Sequence, residues 1–371
     1  MTIGTEHEYS INNNYFNALP DSDKIIKRIH GKIEPDIPFG EVILGKELQK
    51  TVIEFIPNHP SDNLKSLENQ LVSGIQNFYS TFQDQYWLLG LGMHPTLTLD
   101  QTSVWNHSDR EYYETYDRLF NIHQHGWLNI QALQINLSYS TEKDLLAMYN
   151  TIRLLLPYLI AITASSPIVE GNLTNYIDNR LIFYRTNQKE IPDICNNIIP
   201  EQLTTINNYY ISQNKVFSKL KLYNAHILCE EWVNSSGLII RPSRKCIEIK
   251  ALDEQESIQS DMAVCAFIQA LLRCPSLPID QDQKTLLDIT DTAIKHGTTK
   301  LQPELKQLFT LAQKYANKEE QLYLPIIKNR IENGNLAEIM CTRYKEKENI
   351  SSILHDMALC LKTNSSITSF L

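Results

Sequence analysis

Two glutamates lie one residue apart near the N-terminus of this chain, in residues 4–9 (GTEHEY). Side chains alternate between the faces of an extended strand, so Glu6 and Glu8 would point in the same direction. Neighbouring carboxylates repel each other, and Mg²⁺ offsets that repulsion while leaving coordination sites for phosphates. The pair therefore indicates a metal site, although a strand with a water-facing acidic side explains it equally well.

A third glutamate, Glu54, lies in the apolar run of residues 51–56 (TVIEFI). Burying a carboxylate in such a run costs free energy unless it is paired or bound to a cation. The alternative is an edge strand on which Glu54 faces water. Glu47 precedes this strand and could approach Glu54 across a bend, but taken alone it is more simply explained as a surface residue.

Residues 241–253 (RPSRKCIEIKALD) form a second dense group of charges. In the strand predicted over 246–250, Glu248 and Lys250 would share one face with Cys246. A carboxylate beside cations suits a metal–phosphate site, because it binds the ion while the cations neutralise a transferring phosphoryl group. The competing explanation is an ordinary surface salt bridge, which contributes little to stability.

Two polar segments complete the candidates. Residues 134–138 (QINLS) alternate polar and apolar side chains, as in a strand with one face in a polar cleft or a half-exposed strand. Residues 165–180 are polar, irregular and end in Arg180. That pattern fits a substrate-binding loop on a rigid scaffold, and a plain connection of this length would be unusual.

The elements that must position these residues follow from hydrophobic periodicity and turn signals. Strands are predicted over 1–10, twice within 40–57 (41–44 and 51–56), and over 87–93, 132–139, 238–241 and 246–251. Helices are predicted over 60–84 with Ser61 as N-cap, 109–123, 141–164 from a sequence like a capping box, 257–272, and throughout 283–371. Strands mixed with long helices, without regular βαβ spacing, predict the α+β class with a mainly antiparallel sheet.

The amino-acid composition limits the classes of function that this protein could have. The 371 residues are 42% hydrophobic, enough for a sizeable core, and carry a formal charge of −9 with both signs interspersed. That charge argues against nucleic acid as the partner, since a binding face would need clustered Lys and Arg. Seven cysteines without CxxC spacing fit a reducing compartment. No signal peptide is visible, and the most apolar stretch, 154–164, is too short to span a bilayer, so we expect a cytoplasmic protein without a membrane partner.

Taken in order, these segments resemble the glutamate–cysteine ligase family, carboxylate–amine ligases related in fold to glutamine synthetase. The resemblance covers about residues 1–275, and 134–138 is similar to the plant-type branch. The matching segments are 4–8 (GTEHE), 52–56 (VIEFI), 92–95 (GMHP), 134–138 (QINLS), 164–180 with ASSP, EG and YIDNR, and Arg241 with 247–250 (IEIK) and Asp253. No single motif is specific for this family, but the order of the motifs along the chain is.

The resemblance implies one catalytic domain over 1–371, in which a curved antiparallel sheet forms the floor of the active site and helices cover the outer face. It implies an enzyme that uses ATP to join a carboxylic acid to an amine through an acyl phosphate. Two or three Mg²⁺ ions are implied, for which Mn²⁺ could substitute. The implied metal ligands are Glu6, Glu8, Glu54 and Glu248, with Glu47 as a further one.

The resemblance also implies roles for the cations and amides. Arg241, Arg244 and Lys250 would contact the ATP phosphates, and the catalytic set would be Arg241, Lys250 and Arg180. The substrate contacts would be Gln134, Asn136, Tyr176 and Arg180. Two positions depart from the family pattern: Lys250 replaces an arginine and loses its bidentate fork, and Gln134 stands where many bacterial members have a metal-binding histidine.

The substrates implied are the γ-carboxylate of L-glutamate and L-cysteine, the first step of glutathione synthesis. A ligase of the same mechanism that makes another amide, in specialised metabolism, is the related alternative. A non-catalytic nucleotide- or metabolite-binding regulator and a phosphotransferase are alternatives from other classes. The partners are then small molecules, and the sequence is compatible with a homo-oligomer without indicating one.

Overall fold

The computed structural model describes residues 1–83, 85–195 and 197–367. Its strands are β1 (Ile3–Asn12), β2 (Asp36–Phe39), β3 (Val42–Lys46), β4 (Val52–Pro57), β5 (Trp87–Leu89), β6 (Ala132–Ser138), β7 (Ile168–Val169), β8 (Asn172–Leu173), β9 (Leu238–Arg241) and β10 (Cys246–Asp253). Its α-helices are α1 (Ser22–His30), α2 (Leu64–Phe82), α3 (Arg110–Phe120), α4 (His125–Leu128), α5 (Glu142–Thr163), α6 (Asn179–Tyr184), α7 (Ile206–Leu222), α8 (Ile258–Leu272), α9 (Gln283–His296), α10 (Gln302–Tyr315), α11 (Glu320–Asn333), α12 (Leu336–Lys345) and α13 (Ile350–Thr363).

An open sheet lies at the centre of the fold, in the order β2-β3-β4-β1-β6-β10-β9, and β5 pairs with the end of β1. Neighbouring strands are antiparallel. The predicted α+β class with a mainly antiparallel sheet is confirmed. Because β1 pairs with β4 on one side and β6 on the other, the N-terminal segment is an interior strand. The register shifts between Ile249 and Leu252, and such a bulge bends β10 at its C-terminal half.

Helices α2 and α5 pack against the sheet, α8 packs against both of them, and α9, α10 and α11 form a further layer on α5 and α8. Leu133, Ile135 and Leu137 of β6 belong to the same buried core as α5 and α8. By length and composition α5 could cross a membrane, but 72% of its apolar window is buried inside the protein. It is the central core helix, and burial on several sides explains its apolar composition.

The structure corrects several predicted boundaries. Helix α2 begins at Leu64 with Asn63 as its N-cap, whose side chain accepts a hydrogen bond from the Ser66 N–H. The prediction of Ser61 as the N-cap is wrong, because the backbone of Ser61 pairs with Ile3 in a β-bridge. Strand β5 ends at Leu89, earlier than predicted. The two strands predicted within 40–57, at 41–44 and 51–56, correspond to β3 and β4, whereas α1, α7 and β2 were not predicted. The predicted helical residues 84 and 368–371 lie outside the described residues.

Candidate active site

Strand β1 presents its two glutamates to one face of the sheet, where amides of β6 receive them. Glu8 Oε1 accepts a hydrogen bond of 2.8 Å from Gln134 Nε2, and its Oε2 accepts one of 2.8 Å from the Ala132 N–H. Glu6 Oε1 accepts a 3.0 Å bond from Asn136 Nδ2. The polar face predicted for 134–138 therefore holds the two carboxylates of β1 in fixed positions.

Glu8, Glu47 and Glu54 form an acidic triad in which each residue offers a carboxylate oxygen within 4.8 Å of the others. Glu54 lies directly opposite Glu8 in the β1–β4 register, and Glu47 follows the end of β3. Glu54 is therefore on an interior strand and buried, and the edge-strand alternative does not apply. The bend between β3 and β4 brings Glu47 to the same point.

The negative charges of the acidic triad are not fully compensated by neighbouring cations, and the pKa values of its carboxyl groups show this. Burial raises the pKa of Glu54 well above its ordinary value, and the charges of Glu6 and Glu47 raise it further. Burial and Glu47 likewise raise the pKa of Glu8. A divalent cation relieves such repulsion and is bound by carboxylate oxygens. The donor set therefore fits Mg²⁺ or Mn²⁺.

Glycine makes room for one member of the triad. Gly45 pairs with Glu54 across β3 and β4, and a Cβ on Gly45 would lie 2.8 Å from Glu54 Oε2 and 3.1 Å from Asp36 Oδ1. Burial also raises the pKa of Asp36, whose charge acts on Glu54. Sequence reasoning missed Asp36, because β2 carries no strong strand signal.

Glu248 of β10 is buried on the same side of the sheet and is paired with two cations. Arg241 donates from a terminal nitrogen to Glu248 Oε2 at 2.5 Å, and Lys250 Nζ lies 3.9 Å from Glu248 Oε1. Burial disfavours the charge of Lys250, yet the Glu248 carboxylate keeps the pKa of this lysine above its ordinary value. Asn136 links the two regions, because it donates to Glu6 and accepts from Cys246 Sγ.

Arg241 has a second carboxylate partner, since its Nε donates to Glu231 Oε1 at 2.9 Å. Glu231 was missed, because it lies in a short 3-10 helix, Glu231–Val233, with no signal in the sequence. Arg244 is 53% exposed and reaches Glu6 Oε1 at 2.8 Å. Arg241 is therefore a fixed cation of the site, whereas Arg244 lies at its exposed rim.

Arg180 is held inside the protein. Its Nε donates to Asp253 Oδ1 at 2.6 Å, and both terminal nitrogens lie 3.4 Å from the carbonyl oxygen of Lys250. Burial disfavours its charge, but Asp253 and Asp178 hold the pKa of Arg180 above its ordinary value. Its charge also lowers the pKa of Glu8. Arg180 is thus the positive end of a buried ion pair, and its charge acts on Glu8 of the acidic triad.

Tyr176 is separate from these groups. It is 38% exposed and lines a cavity of about 580 Å³ with residues of α9 and α12, and no member of the acidic triad is among the described residues that line this cavity. A different cavity, of about 240 Å³, lies beside Glu6, Asn136, Arg244 and Cys246. The space next to the carboxylates is therefore on the β1, β6 and β10 side of the sheet.

Comparison with known families gives one match across nearly the whole chain, to glutamate–cysteine ligase family 2 over residues 2–356. A protein of Archaeoglobus fulgidus, named only as an uncharacterized protein, is 47% identical over 366 residues, which are 98% of this chain and 99% of that protein.

Solved structures share the fold at low identity. The glutamate–cysteine ligase of Francisella tularensis in complex with AMP has a TM-score of 0.70 at 13% identity, over 98% of this chain and 89% of that one. A bifunctional glutathione synthetase from Pasteurella multocida has a TM-score of 0.65 at 12% identity, over 98% of this chain. This chain spans about half of that protein, 52%. The complex of the ubiquitin-like protein Pup with its ligase PafA has a TM-score of 0.52 at 11% identity, over 98% of this chain and 72% of that one.

Proposed function

Because this chain belongs to glutamate–cysteine ligase family 2, we propose that it joins the γ-carboxylate of L-glutamate to the amine of L-cysteine. Membership of the family makes it an ATP-dependent ligase that forms amide bonds; the two substrates are the proposal. The observation that carries it is the acidic triad, next to a glutamate with two fixed cations on the same side of the sheet.

The carboxylates would bind the divalent ions, which supply charge neutralisation between the phosphates of ATP. We assign Mg²⁺ ligation to the acidic triad together with Glu6 and Glu248. Gln134 and Asn136 would orient Glu8 and Glu6, since each donates to one carboxylate oxygen. Oriented ligands keep the ions in place as negative charge accumulates at the phosphates.

The two bond-forming steps would occur beside Arg241 and Lys250. An oxygen of the substrate carboxylate bonds to the γ-phosphorus of ATP as ADP leaves, which gives an acyl phosphate. The amine nitrogen then bonds to the acyl carbon as phosphate leaves, and the nitrogen loses a proton. Arg241 and Lys250 would stabilise the transferring phosphoryl group, and Arg244 would contact the nucleotide from the rim.

We also propose that Arg180 and Tyr176 contact a substrate, as the sequence predicted. Since the Nε of Arg180 is bonded to Asp253, a substrate would reach only its terminal nitrogens. Tyr176 would contact substrate only from its own cavity on the α9 and α12 side. We propose the whole of 1–371 as one catalytic unit with small-molecule partners. A cytoplasmic location is supported by seven cysteines that are all free.

A related candidate is a ligase that uses a different amine. The cavity beside Glu6 has a wall of Ile56, Pro57 and Pro60, which would accept an apolar side chain as well as a thiol. That candidate keeps the acyl phosphate and the metal ligands and changes only the second substrate.

The test is ADP release with Mg²⁺, ATP and L-glutamate, scanned over cysteine and other amines. Glu54→Gln and Glu248→Gln are the site variants, and Glu346→Gln, on the exposed side after α12, is the matched control. We expect cysteine-dependent turnover that both site variants lose and the control keeps. Turnover with another amine would favour the related candidate. Turnover without any amine would indicate a phosphotransferase, and none with any amine would overturn the proposed substrates.

A further inference from the structure

A second cluster of ligand-type side chains lies behind β1, on the face opposite the acidic triad. His7, Glu254 and Asp261 are each 0% exposed, and their ligand atoms all lie within 4.8 Å of one another. His7 Nδ1 is 3.3 Å from Glu254 Oε1 and 3.3 Å from Asp261 Oδ2. We refer to these three residues as the rear cluster. It has no part in the reaction described above.

Hydrogen bonding alone accounts poorly for the rear cluster. A charge-assisted bond between imidazolium and carboxylate is usually about 2.7–2.9 Å long, and both contacts of His7 are longer. Among the described residues, neither oxygen of Asp261 has a hydrogen-bond partner. A buried carboxylate whose contact with a donor is as long as the 3.3 Å from His7 Nδ1 to Asp261 Oδ2 carries a large desolvation cost. Something that is not a protein hydrogen-bond donor is therefore expected to satisfy Asp261.

The charge balance of the rear cluster also indicates that a ligand outside the protein is bound there. One imidazolium facing two carboxylates leaves a net negative charge in a dry interior, which is costly. Arg330 is the nearby cation, but it is bonded to Glu256 at 2.6 Å and to Gln255 at 2.6 Å. A divalent ion with a neutral imidazole and two carboxylates would leave the rear cluster uncharged.

We propose that the rear cluster binds a structural Zn²⁺ ion through His7 Nδ1, Glu254 and Asp261. Two ligands at about 2.0 Å from a tetrahedral ion lie about 3.3 Å apart, which is the spacing from His7 to each carboxylate. One imidazole nitrogen with carboxylate oxygens is a common zinc donor set. Because neither oxygen of Asp261 accepts a hydrogen bond from the described residues, this carboxylate can supply two coordination positions.

The ion would stabilise the strand that carries the front carboxylates. Glu254 Oε2 accepts a hydrogen bond of 3.1 Å from the backbone N–H of Glu8. A metal on the other oxygen of Glu254 would hold that acceptor in place, and with it the backbone of Glu8. The site is fully buried, so the ion would enter as the chain folds and exchange slowly afterwards.

The test measures metal content of the full chain, purified without chelator and washed briefly with EDTA, by inductively coupled plasma mass spectrometry. We expect one zinc per chain. Asp261→Asn should lose it. Glu54→Gln should retain it, and so should Glu320→Gln, a matched control in which a buried carboxylate paired with Arg273 also has one oxygen without a partner. Loss of zinc in Glu54→Gln with retention in Asp261→Asn would place the ion in the acidic triad and overturn the proposal.

Zinc-edge X-ray absorption on the wild-type protein keeps the proposal falsifiable if Asp261→Asn fails to fold. The acidic triad contains no histidine, whereas the rear cluster contains His7. We therefore expect imidazole scattering with oxygen ligands. A shell of oxygen alone, a shell with sulfur, or no zinc in protein refolded with Zn²⁺ would each overturn the proposal.

Discussion

At the scale of single residues, the acidic triad combines a functional requirement with a cost in stability. Three carboxylates meet at one point, and burial raises the pKa of each; Glu47 adds to this at Glu8 and Glu54, and Glu6 does so at Glu47 and Glu54. The free protein is therefore strained in the place where a divalent ion would be most tightly bound. Activity and stability should respond in opposite directions when one of these carboxylates is neutralised.

Glu54→Gln tests that opposition. We expect kcat/KM to fall by about 100-fold or more, because a metal ligand is lost. We expect the free energy of unfolding in EDTA to rise by roughly 1 kcal/mol, because one buried charge is removed from the triad. ADP release and urea unfolding measure the two effects. A loss of both activity and stability would contradict the interpretation.

Gln134→His tests the role of the amide beside Glu8. Gln134 donates to Glu8 Oε1, and an imidazole here would offer a metal ligand in its place. Since imidazole favours transition metals over Mg²⁺, we expect the ratio of turnover in Mn²⁺ to turnover in Mg²⁺ to rise several-fold. Asn136→His, on the Glu6 side of the same strand, is the comparison. An equal fall in both metals would show that position 134 does not approach the ions.

At the scale of the elements, the site depends on strand register and on the space that glycine leaves between strands. Gly45→Ala would place a Cβ 2.8 Å from Glu54 Oε2 and push that carboxylate away. We expect KM for Mg²⁺–ATP to rise about 10-fold. Gly4→Ala is the matched control, because its nearest neighbour would be Asn136 Cβ at an ordinary 3.7 Å. Equal kinetic effects of the two substitutions would argue against displacement of Glu54.

Local patterns in the sequence were enough to predict β1, β6, β10 and the faces of their side chains, because strand alternation has a period of two. The approach of Glu47 to Glu54 across a bend was one of two readings of the sequence, and local patterns could not choose between them because they do not determine the geometry of a bend. The pairing of Arg241 with Glu231 depends on a short 3-10 helix that has no signal in the sequence. Ser61 was a reasonable N-cap from composition, but its pairing with Ile3 is long-range. Family resemblance supplied the candidate residues that local reasoning could not connect.

At the scale of the whole molecule, the raised pKa values predict how stability depends on pH. A carboxyl group whose pKa is higher in the folded than in the unfolded state binds more protons when folded, so stability falls as pH rises above its ordinary value of 4.5. We expect the free energy of unfolding in EDTA to be greater near pH 5 than near pH 8. Excess Mg²⁺ should reduce the difference, because the ion replaces the protons. Urea titrations at several pH values measure it.

The variant Glu54→Gln distinguishes the contribution of the acidic triad to the pH dependence of stability from the contributions of other titrating groups. Burial disfavours the imidazolium of His7, but in the metal-free protein Glu254 and Asp261 raise its pKa to about 10, which also lowers stability as pH rises above 6.5. Glu54→Gln should reduce the slope that comes from the triad and leave the His7 contribution. An unchanged slope in this variant would exclude the triad as its source.

The central position of β1 has a consequence for biosynthesis. Its partners β4, β5 and β6 emerge from the ribosome after it, and Glu254, which follows β10 and accepts a hydrogen bond from the Glu8 N–H, emerges last. At roughly 5 to 20 residues per second, the interval between Glu8 and Glu254 is on the order of 10 to 50 s. We expect the two carboxylates of β1 to oppose its association with other chains until the strands beside it have been synthesised. The charges that serve the finished site also protect the growing polypeptide from aggregation.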